Sequence, residues 1–189
     1  MPRVKTATKE AAILEAASRV FALRPFHEVL IDDIASDAGI GKGTIYRYFE
    51  TKDDLYFATS LYALDHLAAA LEKARAPEDS AVRRLERIAR EILGFFWDRR
   101  HLVTMLSRYE RSDREAEVRK RRESILKLVQ EAILAGIERR ELRGINPRIG
   151  AELFLGMTRS ANLFRHAEDT LDELVAHVLS VFSEGVVRR

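Results

Sequence analysis

The chain is predicted to be all-α, with about nine helices forming an N-terminal three-helix domain over residues 1–51 and a larger helical domain over 52–189. Three observations carry that prediction. Only 9 Gly and 4 Pro occur in 189 residues, while Ala, Leu, Glu and Arg recur, so fixing the backbone as helix costs little at most positions. Apolar residues return at spacings of three and four, the period of one helical face. No strand-like alternation, fixed-length repeat or low-complexity stretch interrupts this pattern.

The elements follow in order. Ile13, Ala16, Ala17, Val20 and Phe21 mark a first helix from Thr6 to Leu23, stopped by Pro25. Ile31 to Ala38 makes a second, with Asp32 and Asp33 favourably placed near its positive N-terminal end. Gly39 accepts the left-handed backbone that closes it, and a third helix runs from Lys42 to Phe49. Lys52 to Arg75 and Ser80 to Arg100 are long amphipathic helices separated by Pro77. Leu102 to Tyr109 is a shorter element, followed by a charged helix from Asp113 to Arg140 with Val118, Ile125, Val129 and Ile133 along one side. Asn146-Pro147 pairs an N-cap with a first-turn proline and opens the last two helices, Pro147 to His166 and Thr170 to Val187.

Several classes fall away early. Without cysteine there are no disulfides, thiolate ligands or Cys nucleophile. No run of about 20 apolar residues suits a bilayer, and Met1 to Lys9 has no signal-peptide core, so a cytoplasmic protein without membrane partners is expected. No Gly-rich phosphate loop, triad-like arrangement or metal-ligand spacing is visible, which argues against an enzyme, a metal site and a cofactor. The net charge of +2 is weak evidence for nucleic acid, and residues 1–60 carry eight Lys or Arg against nine Asp or Glu. Any DNA contact must depend on where the charges fall.

They fall on a helix, a tight glycine turn and a second helix: Ile34-Ala35-x-x-Ala38-Gly39-Ile40-Gly41-Lys42-Gly43-Thr44-Ile45-Tyr46-Arg47-Tyr48-Phe49. Small Ala35 and Ala38 permit close helix approach, and Ile34, Ile40, Ile45 and Phe49 fill the gap to the first helix. Lys42, Gly43, Thr44, Tyr46, Arg47 and Tyr48 are left facing outward, with no acid among them. Gly43 admits a close backbone approach, Thr44 offers a hydroxyl and a methyl, and Arg47 reaches base edges or phosphate. Lys42, Tyr46 and Lys52 suit phosphates, which position a protein without reading sequence. Each is equally readable as a solvated surface residue.

From Asp33-Ile34-Ala35 through Gly39-Ile40-Gly41-Lys42-Gly43-Thr44-Ile45-Tyr46-Arg47-Tyr48-Phe49-Glu50-Thr51-Lys52-Asp53-Asp54-Leu55 the sequence resembles the TetR family of transcriptional regulators nearly position for position. The resemblance implies a homodimer on a double-stranded DNA operator, usually repressing, with an effector pocket and the dimer interface in the C-terminal helices. Pro25, Leu30, Ser36 and Asp37 depart from the family pattern. Leu30 has no hydroxyl for a cap or a phosphate, and Asp37 would repel a phosphate, for which basic Arg3, Lys5 and Lys9 are expected to compensate.

Ile149, Leu153, Gly156, Ser160 and Leu163, with Leu171, Leu174, Val178, Leu179 and Phe182, suit either a four-helix dimer interface or packing within one monomer. Phe96, Trp97, Met105, Tyr109, Phe154, Met157 and Asn162 are the candidate lining of a pocket for an unknown, largely apolar small-molecule effector; ordinary core is the alternative. His66 and His101 read as structural. The run Arg119-Lys120-Arg121-Arg122 suits an anionic ligand such as an acyl-coenzyme A phosphate, but Glu115, Glu117 and Glu123 among it favour a solvated face. A regulator answering to a protein partner, or to no signal, remains open.

Overall fold

A computed structural model of the chain describes the backbone of residues 3–73, 80–99, 101, 102, 106, 109 and 113–186, and the side chains of these from 8 to 184. Among the described residues there are eight α-helices: α1 (Arg3–Leu23), α2 (Ile31–Asp37), α3 (Lys42–Tyr46), α4 (Lys52–Lys73), α5 (Ala81–Trp97), α6 (Glu115–Glu138), α7 (Pro147–Phe164) and α8 (Leu171–Val186), with a 3-10 turn at Phe26–Glu28. The element expected between Leu102 and Tyr109 is described at Leu102, Leu106 and Tyr109, each helical. The chain divides into two compact units, residues 1–64 with 98–118, and residues 65–97 with 119–189.

In the first unit, Ile13, Ala16, Ala17 and Phe21 of α1 meet Ile31, Ile34, Ala35, Ile45, Phe49 and Leu55 in a fully buried core. Phe21, Phe26 and Tyr56 form an aromatic corner, with centroids 4.5 Å apart for Phe21–Tyr56 and 4.6 Å for Phe26–Tyr56. α1 starts three residues earlier than its apolar stripe suggested, so the backbone of Arg3 to Lys9 is helical. α3 is shorter than expected, because the chain tightens after Tyr46. Arg47 and Tyr48 donate three residues back, to Thr44 O (3.3 Å) and Ile45 O (2.9 Å), and Phe49 is carried into the core.

In the second unit, α5 packs on α7 and α8 through Leu85, Ile88, Ala89, Ile92, Leu93 and Phe96. α5 stops at Trp97, short of the expected Arg100. The Arg165 guanidinium caps this end, lying 3.9 Å from the Trp97 ring centroid and donating to the Trp97 carbonyl. α6 brings Ile125, Val129, Ala132 and Ile133 to the core. Gly136 permits a close approach there, since a Cβ on it would stand 2.5 Å from Ala81 Cβ. Asn146 caps α7 as expected, its Oδ1 accepting from the amides of Arg148 (3.0 Å) and Ile149 (3.2 Å), and Thr170 and Glu173 form a reciprocal capping box on α8.

Candidate nucleic-acid interface

The α2–turn–α3 corner is built by local chemistry. Leu30, at the N-cap of α2, provides no side-chain acceptor, and Asp33 does the work instead: its Oδ2 accepts from the Leu30 amide (3.0 Å) and from Arg24 (2.5 Å). These bonds, the amide's first, hold the Asp33 carboxyl below the usual aspartate range. At the other end Gly39 adopts φ +65°, while its amide donates to Ser36 O and that of Ile40 to Ala35 O, the paired bonds of a Schellman closure. Ile45 then anchors α3 in the core.

The outward side of α3 presents Lys42, Gly43, Tyr46 and Arg47 exposed, with Thr44 and Tyr48 half-buried. Two of the expected phosphate-contacting cations have internal partners. Lys42 Nζ lies 2.8 Å from Asp32 Oδ2, and that hydrogen bond raises the lysine pKa. Lys52 Nζ donates to Phe26 O (2.8 Å) and Val29 O (2.9 Å) and sits 4.3 Å from the Phe26 ring centroid. Its ammonium therefore ties the α1–α2 connection to the start of α4, leaving at most its third hydrogen for a phosphate. Asp37, expected to repel phosphate, is paired with Arg19, which donates Nε (3.0 Å) and Nη2 (2.8 Å) to one carboxylate oxygen. Sequence reading missed both the Asp32 and the Arg19 partners.

Thr51 caps α4: its hydroxyl and amide meet Asp54 Oδ2 at 2.6 and 3.0 Å, and the Asp54 amide returns to the Thr51 hydroxyl at 3.0 Å. Arg114 also donates to Asp54, lies 3.6 Å from Asp53 Oδ2, and stacks 4.8 Å from the Phe57 ring centroid. The Thr51 hydroxyl, then Arg114, keep the Asp54 carboxyl below its ordinary range. The first turn of α4, which follows α3 in the chain, is thus held from both sides.

The expected pocket residues are dispersed. Phe96 and Phe154 are buried, edge-on to Phe95 and Phe182 with centroids 5.1 Å apart in each case. Asn162 is also buried: its Nδ2 donates to Leu93 O at 3.2 Å, while its Oδ1 meets no donor among the described residues. Trp97 lies under Arg165. Met157 borders an open groove of roughly 500 Å³ with Ile149, Leu153, Val181 and Phe182. Tyr109 packs within the first unit, its ring 4.8 Å from that of Phe57 and its hydroxyl 3.1 Å from Asp53 Oδ1. Met105 lies outside the described residues.

Along α7, Ile149, Leu153, Gly156 and Ser160 are all exposed, Leu153 at 61%, and Val181 of α8 joins them at 64%. Val178 and Phe182, which suited either that face or packing within one monomer, are buried in the unit's own core. In the basic run, Arg121 and Arg122 pair with Asp65 (3.3 Å) and Glu152 (2.5 Å), and Arg119 and Lys120 are exposed. Among the described residues no helix is long and apolar enough to cross a membrane, and no group of three or more His, Asp or Glu could hold a metal ion.

Residues 13–59 match the model for bacterial regulatory proteins of the tetR family, and residues 78–163 match a tetracyclin repressor-like C-terminal domain. The chain belongs to the TetR family. Over 90 residues it is 36% identical to the HTH-type transcriptional repressor LfrR of Mycolicibacterium smegmatis, a match covering 44% of this chain and 47% of that one. The chain spans less than half the length of this and the next curated relatives that it matches. Two solved structures share the fold of the TetR-family chain. A TetR/AcrR-family regulator from Thermobifida fusca aligns with TM-score 0.76 and 24% identity, covering 96% of this chain and all of that one. FadR from Bacillus subtilis, in complex with stearoyl-CoA, aligns with TM-score 0.76 and 19% identity, covering 93% and 98%.

Proposed function

We propose that this TetR-family chain is a cytoplasmic transcriptional repressor that binds a near-palindromic operator as a homodimer and is released by a small, largely apolar effector. The observation that carries the reading is the outward face of α3, above all Gly43. A Cβ there meets nothing within 4 Å, so no neighbour among the described residues calls for glycine in the helix, where it costs about 0.5–1 kcal/mol relative to alanine. The close approach that it permits is to something outside. Tyr46 and Arg47 flank it with donors suited to phosphates and base edges, and Lys42 stands one residue before it.

The exposed apolar stripe Ile149, Leu153 and Val181, continued by small Gly156 and Ser160, supports dimerisation through the last two helices. Two reading heads would then meet successive major grooves, about 34–36 Å apart. For the effector, the buried Asn162 Oδ1, which meets no donor among the described residues, offers a polar handle within the second unit. Acyl-coenzyme A thioesters are the first class to try, given the stearoyl-CoA bound by the Bacillus subtilis relative in fold, with exposed Arg119 and Lys120 as partners for their phosphates. An effector acts only through its different affinities for the two states of the regulator. In this reading α4 is the element that carries the effector's shift toward the reading head.

The test is selection of bound duplexes from random DNA, followed by titration of a long-chain acyl-coenzyme A into the complex. Enrichment of two inverted half-sites about one helical turn apart, with release by the thioester, is expected. Enrichment of no palindrome overturns the operator reading, and ligand binding without release overturns the effector reading.

A further inference from the structure

We infer that Asp32 determines the specificity of the reading head, holding the Lys42 ammonium so that loosely docked duplexes of random sequence cannot recruit it. This rests on the operator-binding reading above. Asp32 is the second residue of α2 and Lys42 the first of α3, and their side chains are 62% and 47% exposed while 2.8 Å apart. An exposed pair of this kind adds little to folding, so its consequence lies at the surface that it occupies.

All three charged residues of α2 are acids, and each is paired with a different base: Asp33 with Arg24, Asp37 with Arg19, and Asp32 with Lys42. Asp33 also caps its helix by holding the Leu30 amide. Arg19 and Arg24 belong to α1 and the turn after it. The Asp32 pair alone reaches the helix that carries the proposed base contacts.

Random-sequence binding consists almost entirely of contacts between cations and phosphates, each adding about 0.9 to the slope of log affinity against log salt. A lysine already on a carboxylate gains little by moving to a loosely placed phosphate, because one anion replaces another. On a matched operator, base-edge contacts from the Gly43–Arg47 face draw α3 into the groove and bring a phosphate within reach of Lys42, which then leaves Asp32. Asp32 thus withholds one phosphate contact from the wrong complexes and leaves the right one nearly unaffected.

The experiment measures binding of the full chain and Asp32→Asn to the selected duplex and to a scrambled duplex at several salt concentrations, then repeats both in a Lys42→Gln background. Asp32→Asn is expected to tighten scrambled-duplex binding about fivefold and to steepen its salt slope by about one. Operator affinity should change less than twofold, and the gain should vanish with Lys42→Gln. Asp32→Ser, which keeps a polar first turn, should reproduce the result. An unchanged scrambled-duplex slope, an equal gain on the operator, or a gain that survives Lys42→Gln overturns the inference. Failure of the unsubstituted chain to bind any duplex instead brings down the operator reading and this inference with it.

Discussion

In the first unit the side chains with the proposed chemistry, Lys42, Tyr46 and Arg47, stand exposed on a five-residue helix and the residue that caps it, whereas in the second the expected ligand residues Phe96, Phe154 and Asn162 are buried in the packing. The contrast reflects where each partner sits. A partner outside the chain needs a few outward groups on a rigid corner, and Gly39, Asp33 and Thr51 build that corner from neighbours in sequence. A partner inside needs space left over from packing, and that depends on many residues at once.

The sharpest way to probe the difference is to remove a large side chain from the second unit. Phe154→Ala should cost about 3–5 kcal/mol in urea denaturation if the ring is surrounded by packed atoms. A loss below about 1 kcal/mol would place Phe154 at the edge of open space and strengthen the effector reading. The counterpart in the first unit is Gly43→Leu. Because nothing lies within 4 Å of a Cβ at Gly43, the melting temperature should hold while duplex affinity falls about a hundredfold, by gel shift at fixed salt. A folding defect with intact binding would break the comparison.

A smaller effect is expected at the first turn of α4. Arg114→Met removes the partner of Asp54 and Asp53 and should lower stability by about 1 kcal/mol, with faster amide exchange from Thr51 to Leu55. Weaker still is the response to acid. The folded carboxyls of Asp33 and Asp54 titrate below their unfolded values, so the stability they confer is present above about pH 4 and is lost as pH falls through the lower folded values. Asp54→Asn should flatten the acid limb of a pH–stability curve, and an unaltered limb would count against the cap and its Arg114 partner.

How much of this is legible in the sequence follows the same division. The helices, the Gly39 turn, the Asn146 cap and the inward Ile34, Ile45 and Phe49 are all readable, because each depends on residues within a turn or two of one another. The Lys42–Asp32 and Arg19–Asp37 pairs join residues 10 and 18 apart, and the Lys52 clamp reaches back 26 to Phe26, so only the folded corner brings them together. The end of α3 at Tyr46 was illegible because Arg47 and Tyr48 favour no particular stop; tightening toward the core decides it. In the second unit, helical period left Val178 and Phe182 open between a dimer face and packing within one monomer; α8 turns them inward and leaves Val181 exposed. The period locates a stripe but not the neighbour that it meets.

In the proposed complex the outward α3 face meets duplex DNA and the α7–α8 groove does not. Amide chemical-shift mapping of the isotope-labelled chain, titrated with its selected duplex, tests this most directly. The largest shifts are expected from Lys42 to Tyr48 and at Leu30, with Ile149, Leu153 and Val181 unmoved. Shifts centred on α7 and α8, with α3 silent, would contradict it.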